Sequence, residues 1–225
     1  MYHAVFTNGK VFEQPITKVV CVGRNYAEHA KELDNPIPDE PILFIKPESS
    51  VVDLHEVLLI TNADCHYETE LAVLIGSELK NATHEAVSQS VAGLGLALDL
   101  TRRTLQSKLK EKSHPWEVAK SFDGSCPLSQ FIPLESFNDV EQVNFSLFIN
   151  EELRQEGDSK DMLNPVIPLI SYMSHFFTLR AEDVILTGTP KGVGVLNAND
   201  QLGFSLKVHP NIGSFNFVSS TKSSS

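Results

Sequence analysis

Two glutamates, separated by a single residue, lie in the largely apolar segment 66–75. The β-branched and aromatic residues of this segment predict a strand, on which Glu68 and Glu70 project from the same face. A third carboxylate, Asp99, ends the uncharged run 91–98. Three carboxylates with no Cys or His partner form the ligand set that Mg²⁺ or Mn²⁺ prefers. An exposed strand face with two solvated glutamates, and an Asp that caps the next helix, is the alternative interpretation.

A histidine and a glutamate stand three residues apart in segment 24–33, which predicts a turn into a short helix. On such a helix His29 and Glu32 are neighbours. A carboxylate beside an imidazole favours the imidazolium and fixes the ring, which is typical of a base that activates water. The alternative is an incidental charge pair on a surface helix. The proline-rich segment 34–41 excludes regular structure, so the helix could move as a lid.

Lys120 lies among apolar residues of segment 116–122, where a lysine can bind an anion or transfer a proton. An ordinary surface lysine is the alternative.

Further on, the strand predicted from residue 184 leads into a glycine-rich loop that ends at residue 194. This loop is no Walker A motif, because no Lys-Ser or Lys-Thr follows its second glycine. Its backbone N–H groups and the hydroxyl of Thr189 could still bind a carboxylate.

Most of the secondary-structure elements predicted around these residues are strands. A hairpin is predicted at 2–12 around the turn dipeptide Asn8-Gly9. Further short strands are predicted at 18–22, 43–47, 51–60 and 143–149. Helices are predicted at 78–90, at 101–112 and, apolar on most sides and therefore buried in the core or at a subunit interface, at 165–179. The run 93–98 lacks the third glycine and the following acidic residue of a dinucleotide-binding fold.

The composition is that of an ordinary globular chain. Its 225 residues are 41% hydrophobic and 21% charged, and they carry a net charge of -11. This length allows one large domain with a sizeable core. The acidic charge disfavours nucleic acid and anionic membranes as partners, and no segment resembles a membrane span or a signal peptide. Three widely spaced cysteines predict neither a disulfide framework nor a zinc site, and a cytoplasmic location is expected.

Five motifs, in this order, resemble the fumarylacetoacetate hydrolase family. They are 21–32 (CVGRNYAEHAKE), 67–71 (YETEL), Asp99, 120–122 (KSF) and 186–194 (LTGTPKGVG). The resemblance is strongest to the small acylpyruvases and oxaloacetate decarboxylases of the family. One departure is the segment 101–106 (TRRTLQ), where close relatives usually carry an alanine in place of Arg102 and an aspartate in place of Thr104. We expect this departure to affect substrate preference and not the metal site.

The resemblance implies an α+β, strand-rich fold: a mixed β-sandwich roll with flanking helices that assembles as a homodimer. It divides the chain into an N-terminal hairpin at 1–16, a catalytic domain at 17–217 and a tail at 218–225. The serine-rich tail is predicted to be disordered.

The resemblance also implies roles for the candidate site residues. Mg²⁺, or Mn²⁺, would be bound by Glu68, Glu70 and Asp99. The water-activating dyad on a mobile lid would be His29 and Glu32. The substrate would be held by Lys120, Gln106 and Thr189, with Arg24 close by. Lys120 would also add positive charge where an enolate develops.

The implied substrates are small 2-oxo acids, whose carboxylate and keto oxygens chelate the metal, which then stabilises an enolate. Hydrolysis of acylpyruvates, decarboxylation of oxaloacetate and keto–enol tautomerisation share this enolate, and the sequence does not rank them. An isomerase or decarboxylase of dienedioates from aromatic catabolism would need a larger apolar pocket. A metal-dependent dicarboxylate-binding module without turnover is a further alternative, against which the dyad and Lys120 argue.

Overall fold

The computed structural model describes residues 1–60, 64–137, 139–207 and 213–223. Its strands are β1 (Lys18–Gly23), β2 (Ile42–Pro47), β3 (Val51–Asp53), β4 (Val57–Ile60), β5 (Cys65–Tyr67), β6 (Thr69–Ile75), β7 (Val91–Leu98), β8 (Thr101–Arg102), β9 (Cys126–Leu128), β10 (Ile132–Pro133), β11 (Asn144–Ile149), β12 (Glu152–Asp158), β13 (Val184–Leu186), β14 (Gly194–Val195), β15 (Gln201–Lys207) and β16 (Ser214–Ser223). The α-helices are α1 (Ala27–Glu32), α2 (His84–Ser90), α3 (Arg103–Glu111), α4 (Glu117–Lys120) and α5 (Val166–Phe176). Three 3₁₀ turns lie at Glu48–Ser50, Leu134–Ser136 and Ser159–Asp161.

The largest sheet is mixed and has the strand order β2-β1-β13-β6-β7-β9-β3, with β10 also paired to β7. The pairs β1–β13 and β3–β9 are parallel, and the other pairs are antiparallel. The two strands that lead to the acidic residues, β6 and β7, therefore lie in the middle of the sheet. Every residue of β6 is buried, which explains its almost continuous apolar sequence.

A second sheet, with the order β12-β11-β15-β16-β4, packs on one face of the first. The hydrophobic core between the two sheets joins Leu71 and Leu96 of the large sheet to Phe145 and Phe204 of the second. On the opposite face of the large sheet, a smaller apolar cluster includes Leu74 and residues of the N-terminal segment. This layered, strand-rich arrangement with few helices confirms the predicted α+β fold.

A third, small sheet with the order β14-β5-β8 adjoins the start of β6, because β5 directly precedes β6 in the chain. In it, Tyr67 pairs with Gly194 and His66 pairs with Thr101. The pairing brings the glycine-rich loop and the segment after Asp99 to the same end of the acidic strand. Chain segments that are distant in sequence therefore meet where the candidate site residues lie.

Some predicted elements change in the structure. Residues 214–223 form β16 within the second sheet, so the prediction of a disordered tail at 218–225 is wrong as far as residue 223. Residues 224–225 lie outside the described residues. The predicted N-terminal hairpin is present as a turn with a single bridge pair, Val5 with Val11. The helix predicted at 78–90 begins only at His84, after the N-cap Thr83. None of the helices in the described ranges is long and apolar enough to cross a membrane.

Candidate active site

The three predicted metal ligands converge at the end of β6 and β7. The antiparallel register pairs Thr69 with Leu98, so Glu68 and Asp99 face each other just beyond the paired ends, and the Asp99 N–H donates to the Glu68 carbonyl at 2.8 Å. Carboxylate oxygens of Glu68, Glu70 and Asp99 lie within 4.8 Å of one another. The three side chains are buried, with exposures of 5%, 1% and 1%. Burial excludes the alternative of a solvated strand face.

Two cations neutralise the first of these carboxylates. Lys120 lies 2.7 Å from Glu68 Oε2 and 2.5 Å from Asp99 Oδ2, and Arg103 pairs with the other oxygen of Glu68. Although burial opposes it, the ammonium of Lys120 and the guanidinium of Arg103 hold the pKa of Glu68 well below its usual range. Burial also opposes the charge of Lys120, but Asp99 and Glu68 outweigh it and raise the pKa of Lys120. Lys120 is therefore a permanent positive charge inside the site.

A second buried lysine supports Asp99 from behind. The side chain of Lys46 is fully buried, and its Nζ lies 2.8 Å from Asp99 Oδ1 as an ion pair without hydrogen-bond geometry. The same ammonium donates to the carbonyl and hydroxyl of Ser125 at 3.1 Å each, and to the carbonyl of Lys120. Lys46 thus fixes both Asp99 and the end of α4 that carries Lys120.

Glu70 differs from the other two carboxylates because no cation pairs with it among the described residues. Its Oε2 accepts the backbone N–H of Gly188 at 2.6 Å. Burial and the neighbouring carboxylates of Asp99 and Glu68 raise the pKa of Glu70 well above its usual value. Three hard oxygen donors, one of them a carboxyl group that would gain a cation as partner, are the donor set that suits a divalent cation such as Mg²⁺ or Mn²⁺.

The predicted dyad is present at the N-terminal end of the site. His29 and Glu32 lie on α1, and His29 Nδ1 is 3.4 Å from Glu32 Oε2. The sequence led us to expect an imidazolium at this position. Burial instead lowers the pKa of His29, and it outweighs the charge of Glu68 and the hydrogen bond that the ring donates to Glu32. A neutral imidazole at neutral pH is the form that can accept a proton.

Glu32 is held by the glycine-rich loop. Both of its carboxylate oxygens accept the backbone N–H of Gly192, at 3.0 and 3.1 Å. Gly192 has a φ of +97°, and a Cβ there would overlap the carbonyl oxygen of Arg154. Only glycine fits a left-handed backbone this close to another strand. The loop thus has a fixed shape that presents its N–H to α1.

The hydroxyl of Thr189 is already engaged by the protein. It donates to the carbonyl of Thr69 at 2.9 Å and accepts from the amide of Gln155 at 2.8 Å. Gln155 also donates to the carbonyl of Pro190 and accepts the N–H of Thr69, each at 2.9 Å. This buried amide therefore ties the loop to β6. The predicted contact of Thr189 with substrate stays a prediction, and the structure adds a positioning role.

A single pocket collects the candidate residues. Eight of the nine residues predicted from the sequence line it, namely Arg24, His29, Glu68, Glu70, Asp99, Gln106, Lys120 and Thr189. Glu32, the ninth, stands behind His29. Gln106 is buried, and its carbonyl oxygen accepts from Arg103 at 2.9 Å. Their individual roles stay predictions.

Sequence reasoning missed several residues of this site, among them Lys46, Arg103 and Gln155. The one available signal was for Lys46, the only charged residue in the short apolar strand β2. Arg103 and Gln155 carry no comparable signal, because each lies in a polar segment whose charges mostly face solvent. Their partners come from segments far away in the chain.

A family model described as "Fumarylacetoacetate (FAA) hydrolase C-terminal" matches residues 18–217. The chain belongs to the fumarylacetoacetate hydrolase family. The resemblance stated from the five motifs is confirmed.

Individual members of the fumarylacetoacetate hydrolase family agree with this assignment. The chain is 50% identical over 212 residues to the oxaloacetate tautomerase YcgM of Escherichia coli K12, a match that covers 93% of this chain and 97% of the relative. A family protein from Yersinia pestis superposes with a TM-score of 0.91 at 49% identity, covering 96% of this chain and 99% of that one. The fumarylpyruvate hydrolase of Pseudomonas aeruginosa, solved with Mn²⁺ and pyruvate, has a TM-score of 0.86 at 31% identity, covering 98% and 96%. These comparisons support an enzyme of this family.

Both residues that depart from the family pattern at 101–106 make contacts away from the pocket lining. The guanidinium of Arg102 stacks on the ring of Phe122 at 4.2 Å, and neither Arg102 nor Thr104 lines the pocket. The N–H of Thr104 donates to a carboxylate oxygen of Asp64 at 2.5 Å, so Asp64 supplies a negative charge at the N-terminus of α3. The lining therefore gives no support to the expectation that these two residues alter substrate preference.

Proposed function

We propose that this protein is a metal-dependent oxaloacetate tautomerase, which interconverts the keto and enol forms of oxaloacetate. The observation that carries the proposal is the arrangement of three buried carboxylates within 4.8 Å of one another in a pocket that also holds His29 and Lys120. The likeness to a bacterial oxaloacetate tautomerase at 50% identity supports the same substrate.

The metal would be Mg²⁺ or Mn²⁺, held by Glu68, Glu70 and Asp99. When bound, such a cation supplies Lewis-acid stabilisation of negative charge on the oxygens of a 2-oxo acid. The Mn²⁺ in the fumarylpyruvate hydrolase structure supports a divalent ion in this family. Of the two ions, Mg²⁺ is the one that we propose for the cell.

Three residues of the chain would carry out proton transfer and charge stabilisation. His29 is buried and neutral, so it can take the proton from C3 of the keto form and return a proton to the enolate oxygen. Glu32 fixes the ring and makes it more basic. Lys120 contributes a fixed positive charge near the developing enolate. Burial excludes bulk water, so these charges act more strongly than they would in solution.

Hydrolysis of acylpyruvates is the second candidate function. The observation in its favour is the His29–Glu32 dyad, which can activate water as well as move a proton, and the fumarylpyruvate hydrolase likeness at 31% identity supports it. Decarboxylation of oxaloacetate would use the metal and Lys120 without the dyad. The mostly polar lining of the pocket gives no support to a dienedioate isomerase, and the complete dyad argues against a binding module without turnover.

The test starts from freshly dissolved enol-oxaloacetate. Loss of enol absorbance, with total oxaloacetate measured by an end-point reduction of the same samples, separates tautomerisation from decarboxylation. We expect a metal-dependent fall of the enol signal at constant total oxaloacetate. A parallel fall of both signals would make the protein a decarboxylase, and loss of acetylpyruvate only would make it a hydrolase. No effect on any of these substrates with Mg²⁺ or Mn²⁺ would contradict the proposal.

We also propose a homodimer in the cytoplasm. Support for a dimer comes from exposed apolar side chains on the second sheet, among them Val218, 69% exposed, and Phe148, 36% exposed. Support for the cytoplasm comes from Cys21, Cys65 and Cys126, which are free and buried. The molar mass from light scattering tests the dimer, and cell fractionation tests the location.

A further inference from the structure

Two basic side chains line the pocket without belonging to the carboxylate cluster. Arg24 follows β1. Lys110 lies on α3 one turn after Gln106, so Gln106 and Lys110 both face the pocket. Both cations are partly buried. They stand on the side of the pocket that is covered by the segment after α1.

The charges of these two residues are not neutralised within the described part of the chain. The other pocket cations, Arg103 and Lys120, are paired with Glu68 or Asp99. Arg24 donates only to the carbonyl of Pro36, at 3.3 Å, and Lys110 only to the amide oxygen of Asn35, at 2.7 Å. Burial, followed by the charges of Arg24 and Arg103, lowers the pKa of Lys110. An anion placed here would relieve this repulsion.

Arg24 also holds an unusual backbone conformation. Its φ is +59°, in the left-handed region that long side chains rarely adopt. Such strain persists where the surrounding structure requires it, often at a ligand site. At this position it turns the chain from β1 into α1 and leaves the guanidinium on the pocket wall.

We propose that Arg24 and Lys110 form a subsite for the distal carboxylate of the substrate. The subsite makes the enzyme selective for 2-oxo acids with a second carboxylate, such as oxaloacetate, over 2-oxo acids that end in a neutral group. The inference rests on the proposed function for the position of the first carboxylate. The subsite extends that function by naming the preferred substrates, 2-oxo acids with a second carboxylate, and the two residues that select them.

A competing explanation assigns both cations to holding the lid. Their present partners, Asn35 and Pro36, belong to the segment after α1, so loss of either cation could loosen this segment. A lid role affects every substrate, whereas an anion subsite affects only substrates with a distal charge. The two explanations therefore separate on a pair of substrates that differ in that charge alone.

The decisive pair is oxaloacetate and its C4 methyl ester, because the same C3–H bond and C2 carbonyl react in both. Tautomerisation of each substrate by a variant is compared with tautomerisation of the same substrate by the wild-type enzyme. For Lys110→Gln we expect kcat/KM for oxaloacetate to fall roughly 10- to 100-fold, as for the loss of a hydrogen bond to a charged group, mostly through KM. The ester should change by no more than about threefold, within the ordinary spread of surface substitutions. Lys108→Gln, on an exposed position of the same helix, is the matched control and should affect neither substrate. Asn35→Ala removes the lid contact of Lys110 and keeps its charge.

Equal losses for both substrates in Lys110→Gln, reproduced by Asn35→Ala, would overturn the subsite and establish the lid role. No loss for either substrate would also overturn it.

If the variant fails to fold, the wild-type enzyme still tests the subsite, because added salt should raise KM for oxaloacetate and not for the ester. Calorimetric binding of 2-oxoglutarate and 2-oxopentanoate with Mn²⁺ needs no turnover. If turnover is absent, the proposed function fails, while a preference for 2-oxoglutarate would still support the subsite and no preference would overturn it.

Discussion

The carboxylate of Glu32 accepts the backbone N–H of Gly192, with N···O distances of 3.0 and 3.1 Å. This hydrogen bond joins the helix that carries His29 to the glycine-rich loop that carries Thr189. The base and one wall of the pocket are therefore set in one position by a contact between residues 160 positions apart.

Gly192→Ala should disturb the dyad through the backbone. Alanine at a φ of +97° is strained by about 1–2 kcal/mol, and its Cβ would overlap the carbonyl of Arg154, so the loop must shift away from Glu32. We expect lower stability together with a fall in kcat, measured by urea unfolding and by tautomerisation. Gly9→Ala is the control, because Gly9 has a φ of +85° and an open surrounding. It should lose stability and keep kcat, and an equal kcat in both variants would contradict the positioning role.

Glu32→Gln separates the reactions that this pocket could perform. The amide keeps the shape of the side chain and removes the charge that raises the basicity of His29. Acylpyruvate hydrolysis should fall by about 10²-fold or more, as expected for the loss of general-base assistance. Oxaloacetate decarboxylation should fall much less, since it needs no base. Both are measured as kcat/KM on one preparation at one metal concentration.

The control for this variant is Glu28→Gln, on the same helix, where the exposed carboxylate faces Lys191 only at 3.9 Å. It should leave both reactions unchanged. Equal losses of hydrolysis and decarboxylation in Glu32→Gln would mean that the dyad serves lid closure in general. Unchanged hydrolysis would remove the dyad from the mechanism.

Removal of divalent metal should abolish turnover. The three carboxylates are buried within 4.8 Å, and Glu70 has no cation of its own among the described ion pairs. Excess EDTA should stop the reaction, and Mg²⁺ or Mn²⁺ should restore it and raise the melting temperature, because the ion binds the folded state. Glu70→Gln should weaken this thermal shift. Full activity in excess EDTA would contradict the metal assignment.

Lys120→Met should lower kcat without loss of metal binding. Lys120 contacts Glu68 and Asp99 and carries a fixed positive charge in a buried site. Loss of one electrostatic stabiliser typically costs about 10²–10³-fold in kcat. The thermal shift by Mn²⁺ should persist, because removing a cation does not weaken the attraction of the carboxylates for metal. Near-normal kcat would return Lys120 to a structural role.

Gln155→Met should destabilise the fold and loosen the loop. The substitution leaves the buried N–H of Thr69 and the carbonyl of Pro190 without their partner, at about 1–3 kcal/mol for each unsatisfied group. Urea unfolding measures the loss, with Gln142→Met as the control, since its amide is bonded only at the surface. A cost as small as that of the control would show that Gln155 does not tie the loop to β6.

Spacing along the chain is enough to predict the local geometry of the chemical groups. The alternation of a strand places Glu68 and Glu70 on one side, and the spacing of three residues makes His29 and Glu32 neighbours on a helix. It also identified the family, because five motifs in a fixed order are specific even though each one is common. These features depend only on residues that are close in the chain.

Which distant groups share the site, and how burial changes their pKa values, depends on the packing of the whole chain. Long-range pairs form at Lys46, Arg103 and Gln155. No local sequence pattern indicates which residues will be the partners in such pairs. The polar residues of β16 form a strand because β15 and β4 supply hydrogen-bond partners on both sides. Burial reverses the effect expected of Glu32 on the pKa of His29, since desolvation depends on everything packed around the ring. Long-range contacts and solvent exclusion are properties of the packed chain, so they cannot be read from the spacing of residues along the sequence.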